Sequence, residues 1–342
     1  MLKRVLILHT GGTLGMSARR PSALAPDTYA HEILSRVPEL AALATIETRI
    51  LCNLDSSDIG PEEWSVLVDE IAAARAGHDG VVVIHGTDTM AYSASALSFA
   101  LSGLDRPVVL TGSQRPLGEI RSDARRNLVD AVDLATRDIP EVGVCFDGSL
   151  LRGSRATKGD AWSYTAFASP NCAPLARLGL DVEIAPHVRR PTVPFAVDAR
   201  FDARVAVCYV TPGMEPRLLE RLAAVDAEDG ARGVVLAAFG VGNVPSRARS
   251  LATAVRRLVD GGVTVAVVTQ AHAGAVDLSL YANGVVLGDA GALSGGDMGI
   301  EAAVAKLMHA LGRFPADARA REHYFVTDVA GERGDGRLHI PD

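Results

Sequence analysis

Four short stretches of this 342-residue chain bring hydroxyls, carboxylates and glycines together in patterns that could do chemistry. They are HTGGTLG (9–15), NLDSSD (53–58), HGTDTM (85–90) and TGSQRP (111–116). A threonine hydroxyl is a weak nucleophile until a neighbouring base or a field of donors activates it. HGTDTM sets Thr87 beside Asp88, and HTGGTLG sets Thr13 behind two glycines. Gly11, Gly12 and Gly86 carry no side chain, so backbone N–H groups there can approach an oxyanion as its charge develops. A lysine completes the set. Of the 34 basic residues only Lys3, Lys158 and Lys306 are lysines, and the rest are arginines. Where Arg is the default fixed charge, a retained Lys suits a position that needs a compact charge or a losable proton. Lys158, in GSRATKGDAW, lies in a stretch without periodicity, as a loop would. Lys3, ahead of the first strand, and Lys306, in the helical pattern EAAVAKLMHAL, are expected at the surface. Thr87, Lys158 and Asp88 can then form a triad by the logic of the serine hydrolases, Lys taking the hydroxyl proton and Asp orienting the Lys.

The competing reading of HTGGTLG is a phosphate cradle. Thr10 stands where the first glycine of G-x-G-x-x-G would be, and no G-K-[ST] follows. From Leu14 to Asp27 the chain has Pro21 and Pro26 and no helical period, so no helix N-terminus follows to receive a phosphate. The nucleophile reading fits better.

The elements that must position these residues alternate along the chain. Apolar runs predict strands at 3–9, 46–51, 80–85, 107–111 and 141–146, and amphipathic patterns predict helices at 27–36, 61–76, 89–102 and 119–137. Continuous apolar strands between helices imply a mostly parallel sheet covered on both faces. Ligands of such sheets collect beyond the carboxyl ends of the strands. All four chemical stretches fall there, on one rim. Around 186–204 the segment PHVRRPTVPFAVDAR breaks the pattern with three prolines. Alternation then resumes, with strands at 205–210, 233–238 and 263–268 and helices at 215–224, 246–259 and 299–312. The expected organisation is an N-terminal catalytic α/β domain (1–188), a linker (189–204) and a smaller C-terminal α/β domain (205–342).

Composition narrows the function classes. A net charge of −7 and scattered arginines give no electrostatic footprint for nucleic acid. No apolar run reaches the roughly 18 residues that span a bilayer. The apolar start of the chain is too short for a signal peptide and lacks a small-residue cleavage site, which points to the cytoplasm. Cys52, Cys145, Cys172 and Cys208 are far apart and form neither a CxxC nor a Cys/His cluster. The nine histidines show no ligand spacing either, so neither a metal site nor a disulfide framework is expected.

Taken together, TGGTLG (10–15) and HGTDTM (85–90) resemble the paired signatures of the bacterial-type L-asparaginases. The likeness extends over essentially the whole chain. LDSSD (54–58), MAYSASALSF (90–99), TGSQRPLGEIRSD (111–123), FASPN (167–171), GVGN (240–243) and GGDM (295–298) look most like the cytoplasmic, type I branch. This resemblance implies hydrolysis of L-asparagine to L-aspartate and ammonia through a covalent acyl-enzyme, with no metal or organic cofactor. Thr13 would be the nucleophile, and Thr87, Asp88 and Lys158 the second catalytic group. Asp55, Ser56 and Ser57 would grip the substrate's α-amino and α-carboxyl groups, with Gly12 in the signature turn. Gly86 and Ser113 or Gln114 would line the amide end. Members assemble as dimers or tetramers, and Asn243 is the candidate that would reach the site of a neighbouring subunit, a plain turn asparagine being the other reading.

One position departs from the family pattern. The tyrosine usual on the loop after the first signature falls here on Ala23 or Leu24. Tyr29, at the expected start of a helix, is the candidate substitute, and packing is its other reading. Without such a tyrosine, Thr13 would be activated through the Lys158 group, or the enzyme would be slow or directed at another amide. Alternatives are a related amidase or glutaminase, the glutaminase component of a tRNA-dependent amidotransferase, and a non-catalytic amino-acid binder. The chain's start at the first strand counts against the amidotransferase, and a retained lysine base counts against the binder.

Overall fold

The computed structural model of the chain describes residues 2–15, 35–223, 230–247 and 250–334. They form two compact units: the described residues up to Ser169 together with Ala173–Ala199, and Pro170–Cys172 together with those from Arg200 onward. Residues 27–34 of the first expected helix, Tyr29 among them, lie outside the described residues.

The first unit is built on an eight-stranded sheet. In chain order its elements are β1 (Lys3–Gly11), β2 (Ala44–Leu54), α1 (Pro61–Ala74), β3 (Gly80–Ile84), α2 (Met90–Ala100), β4 (Val108–Thr111), α3 (Ala124–Ala135), β5 (Val142–Phe146) and β6 (Ser149–Arg152). A small hairpin, β7 (Thr157–Lys158) with β8 (Phe167–Ala168), precedes β9 (Ala176–Leu178) and β10 (Val182–Ile184). The strand order is β10-β9-β6-β5-β4-β3-β1-β2. β2, β1, β3, β4 and β5 run parallel, and β6, β9 and β10 add antiparallel neighbours at one side. The mostly parallel sheet expected from the sequence is therefore present. Its central strands are buried on both faces: Val5–Leu8 and Val81–Ile84 are almost wholly excluded from solvent. Such strands must be apolar at every position, which is why they read as unbroken runs. α1 shows the complementary pattern, burying Trp64, Leu67, Val68 and Ile71 at helical spacing. Pro61 opens it, and the Glu63 carboxylate accepts the Gly60 N–H at 2.9 Å.

Register brings the carboxyl ends level. His9 pairs with Ile84 across β1 and β3, and Ile84 with Thr111 across β3 and β4. After a shift between His9 and Gly11, Gly11 aligns with Leu54 of β2. The four loops that carry the chemical stretches therefore leave the sheet side by side. Strands β6, β9 and β10 went unread because each has only three or four residues, too few to show a period.

The second unit holds a four-stranded parallel sheet, β11 (Val205–Tyr209), β12 (Gly233–Ala238), β13 (Thr264–Thr269) and β14 (Leu293–Ser294), in that spatial order. Helices α4 (Pro216–Ala223), α5 (Leu251–Asp260), α6 (Ala282–Asp289), α7 (Ile300–Arg313) and α8 (Ala318–Val326) accompany it. One expectation is overturned here. Lys306 is not on the surface but fully buried within α7, and its ammonium donates to the Glu332 carboxylate and the Thr327 carbonyl. α7 is buried nearly all round, through Ala302, Ala303, Val304, Ala305, Leu307 and Ala310, so it has no solvent face to receive a charged residue.

Candidate active site

Two adjacent glycines end β1. Gly11 and Gly12 have φ of 127° and 88°, a left-handed conformation that side chains resist. Space forbids a side chain as well. A Cβ on Gly12 would stand 2.6 Å from the Cα of Gly86, and a Cβ on Gly86 would stand 2.6 Å from Ser56 Oγ. The TGGT, HGTD and DSSD loops thus touch at close range, with no side chain between Gly12 and Gly86. Side chains fasten the same loops: Thr10 Oγ1 donates to the Ile84 carbonyl at 3.0 Å, and Thr89 Oγ1 to the Ser56 carbonyl at 2.5 Å. Thr13 follows directly on Gly12, opening the 3₁₀ turn Thr13–Gly15, and is partly buried.

Lys158 reaches this rim from the β7–β8 hairpin, where it pairs with buried Phe167. Phe167 packs on Phe146 with ring centroids 5.1 Å apart. Lys158 Nζ donates to Thr87 Oγ1 at 2.9 Å and to Asp88 Oδ1 at 2.5 Å. The lysine side chain is 17% exposed and its carboxylate partner 67%. The cation is therefore screened while its counter-charge faces water. Because Lys158 supplies the hydrogen between itself and Thr87, the threonine's own hydrogen points elsewhere. It is directed at Gln114 Oε1, 3.4 Å away, a long contact. Gln114 is itself oriented by its Nε2, which donates to the Ser163 carbonyl at 3.0 Å.

On the neighbouring turn, Asp55 accepts from the Ser57 N–H at 2.9 Å and the Ser57 hydroxyl at 2.8 Å. These two donors hold its carboxyl below the usual carboxylate range. Ser56 is buried beneath Gly86, and Ser113 is buried with its hydroxyl donating to the Arg115 carbonyl at 2.7 Å.

The structure thus brings together Thr87, Asp88, Lys158 and Gln114 by direct hydrogen bonds, and Gly12, Gly86 and Ser56 by close packing. Asp55, Ser57 and Ser113 sit on the loops that join them. Asn243 lies in the second unit, closing a tight turn with Phe239 through paired backbone hydrogen bonds of 2.8 and 3.0 Å. Tyr29, with the Ala23 and Leu24 positions, lies outside the described residues.

Two residues were not singled out from sequence. The Asp123 carboxylate accepts the backbone N–H groups of Gln114 and Arg115 and the Asn127 side-chain amide, at 3.0 to 3.1 Å. Asn127 also donates to the Gly112 carbonyl at 3.0 Å. Asp123 stands at the N-cap position of α3, where a carboxylate ordinarily turns back onto its own helix. This one turns to the loop after β4 and fixes Gln114. The spacing of Asp123 and Asn127, one helical turn apart, was the available signal. Among the described residues, no group of three or more His, Cys, Asp or Glu side chains is placed to hold a metal ion, and no helix is long and apolar enough to cross a membrane.

Known proteins share this architecture. Residues 4–190 match the family "Asparaginase, N-terminal", and residues 204–325 match "Glutaminase/Asparaginase C-terminal domain". L-asparaginase 1 of Escherichia coli K12 is 35% identical over 321 residues, covering 90% of this chain and 92% of that protein. One glutamyl-tRNA(Gln) amidotransferase subunit, from Pyrococcus furiosus, is 36% identical over 344 residues, 97% of this chain and 77% of that protein. The crystal structure of L-asparaginase I from Vibrio cholerae superposes with a TM-score of 0.88 at 33% identity, covering 98% of this chain and 100% of that one. With both halves of the chain matched and a homologue aligned along nearly its whole length, this protein belongs to the asparaginase family.

Proposed function

We propose that the chain hydrolyses L-asparagine to L-aspartate and ammonia, with Thr13 as nucleophile. The observation that carries this reading is the Lys158 ammonium placed between the Thr87 hydroxyl and the Asp88 carboxylate, at 2.9 and 2.5 Å. An amino-acid binder has no use for a screened lysine aimed at a hydroxyl. A hydrolase needs a group that can pass a proton to a leaving amine and take one from water.

In the first step the Thr13 hydroxyl oxygen bonds to the side-chain amide carbon, the C–N bond breaks, and ammonia leaves carrying the hydroxyl's proton. In the second, water adds to the resulting ester carbon, the C–O bond to Thr13 breaks, and the threonine hydroxyl is restored. The Thr87–Lys158–Asp88 group handles the protons. Backbone N–H groups of the glycine turns receive the oxyanion, the part of the site with most to gain from being preorganised. Asp55, with Ser56 and Ser57, holds the α-amino and α-carboxyl groups, and Ser113 and Gln114 line the amide end. The enzyme works in the cytoplasm as a homodimer or homotetramer, Asn243 serving the site of the adjacent protomer.

The likeness to an amidotransferase component favours glutamine as the second substrate to be tried. Ammonia release is measured with L-asparagine, L-glutamine and D-asparagine side by side. Preferential turnover of L-asparagine supports the reading, preference for glutamine moves it to a glutaminase, and no release from any amide at millimolar substrate leaves a binder.

A further inference from the structure

We propose that His85 is a positioning residue of this site. A buried hydrogen-bond chain from Trp64 through Ser93 holds it as the neutral Nδ1–H tautomer, and that tautomer fixes the tilt of the Gly86–Thr87 peptide. The inference rests on the reading that Thr87 serves the reaction.

The chain of bonds can run in one direction only. His85 Nδ1 lies 2.7 Å from the Gly86 carbonyl oxygen. A carbonyl can only accept, so Nδ1 carries a hydrogen. At the other end, the indole N–H of Trp64 can only donate, and it does so to Ser93 Oγ at 2.9 Å. Ser93 Oγ is also 2.9 Å from His85 Nε2. With Ser93 already accepting from Trp64, its own hydrogen goes to Nε2, which must therefore be bare. The three side chains come from separate elements, α1, the end of β3 and α2, and all are buried: Trp64 is 3% exposed, His85 1% and Ser93 0%. Burial agrees with this assignment, pushing the His85 pKa down to about 4, so the ring is neutral near pH 7. An imidazolium would instead aim a second N–H at the Ser93 oxygen and leave the serine hydrogen to find another acceptor.

What the tautomer controls is the next peptide. The described chain has no cis peptide, so the Gly86 carbonyl and the Thr87 N–H point in opposite directions. Pinning the carbonyl on Nδ1 turns the Thr87 N–H away from the imidazole. Gly86 cannot shift sideways, being packed between Gly12 and Ser56. Rotation of its peptide plane is the freedom that remains, and His85 removes it. Thr87 then enters its bond with Lys158 from a fixed backbone. His85 acts through Gly86 and touches no reacting atom.

The test pairs a spectroscopic readout with kinetics on the intact enzyme. Imidazole ¹H–¹⁵N correlation spectra of the native protein are expected to show His85 protonated on Nδ1 and bare on Nε2, unchanged between about pH 5.5 and 8. Ser93→Ala removes the hydrogen given to Nε2. It is expected to release the tautomer and lower kcat for ammonia release by about tenfold, with KM held within about twofold. Ser93→Thr, which keeps the hydroxyl, is expected to restore both the tautomer and kcat. Trp64→Phe keeps an aromatic filler while removing the indole donor, and it carries the same expectation should Ser93→Ala fail to fold. An Nε2–H tautomer in an active native enzyme overturns the proposal. So does a folded Ser93→Ala or Trp64→Phe variant at unchanged kcat, whether it loses the tautomer or keeps it. A native protein with the Nδ1–H tautomer and no amidase activity overturns the functional reading instead, so the two failures are told apart.

Discussion

Two of the three lysines in this chain meet opposite surroundings, one in each unit. Lys158 stands at the rim of the first unit's sheet, partly exposed, with a counter-charge that is mostly in water. Lys306 is sealed inside the second unit on α7, and its partner Glu332 is as fully buried as it is. The Glu332 carboxylate also accepts the Val329 and Ala330 N–H groups at 3.0 and 2.7 Å, so it anchors the chain after α8 as well as the lysine. The rarity of lysine marks both positions, but for different reasons. At the rim a compact, titratable charge faces a hydroxyl. In the core, charge and counter-charge satisfy each other, at a desolvation cost that only close pairing offsets.

Substitutions can break that contrast, the largest effect first. Thr13→Ala, Thr87→Ala and Lys158→Ala are each expected to lower kcat/KM for ammonia release by about 10³-fold or more. Their melting temperatures should stay near that of the parent, because Lys158 is screened but not sealed. Lys158→Arg keeps the charge and cannot give up its proton, so parental rates in that variant would remove the proton-transfer role.

At the other lysine the effect moves from rate to stability. Lys306→Met leaves Glu332 buried without its cation and is expected to cost about 3–5 kcal/mol in denaturant unfolding. The activity per folded molecule should be little changed. Lys306→Met combined with Glu332→Gln is expected to recover most of that loss, since a single amide oxygen in the place of Glu332 Oε2, 3.2 and 2.7 Å from the Val329 and Ala330 nitrogens, still accepts both N–H groups without the charge. A double variant as unstable as the single would show that packing, not charge, governs the site.

Acid tests a third way of burying a basic group, which is to give up its proton. His9 and His85 both have pKa values pushed from 6.5 to about 4, chiefly by burial. In this pH range the unfolded chain binds more protons than the folded one, so stability is complete above about pH 6.5 and falls as pH drops toward 4. The slope is at most about 1.4 kcal/mol per pH unit for each ring. Urea unfolding at stepped pH checks this, and a flat profile would mean the rings are solvated. The smallest change is expected at Lys3, whose pair with Asp79 is exposed on both sides (56% and 38%). Lys3→Met should shift stability by less than about 0.5 kcal/mol.

What could be read from sequence follows how local each signal is. The parallel core was legible because strands buried on both faces must be apolar throughout, and the rim was legible because turn and hydroxyl residues gather where those strands stop. Lys158, Thr87 and Asp88 were linked by residue chemistry, although Lys158 and Asp88 stand 70 positions apart in the chain. Lys306 was misread because helical periodicity locates a solvent face only when there is one, and its partner sits 26 residues on. The Asp123 clamp on Gln114 and the Trp64–Ser93–His85 chain went unseen for a related reason. Each joins residues on different elements, and only register and packing decide that they meet.

The packing of Gly12 on Gly86, and of Gly86 on Ser56, has a consequence for anyone seeking variants with a new amide preference. These positions cannot be explored one codon at a time. A methyl at 12 needs Gly86 to retreat, and Ser56 blocks the retreat. A library randomised at 12 or 86 alone should return inactive clones almost without exception, and adaptive routes should run through side chains on the loops around this stack, Ser57 and Gln114.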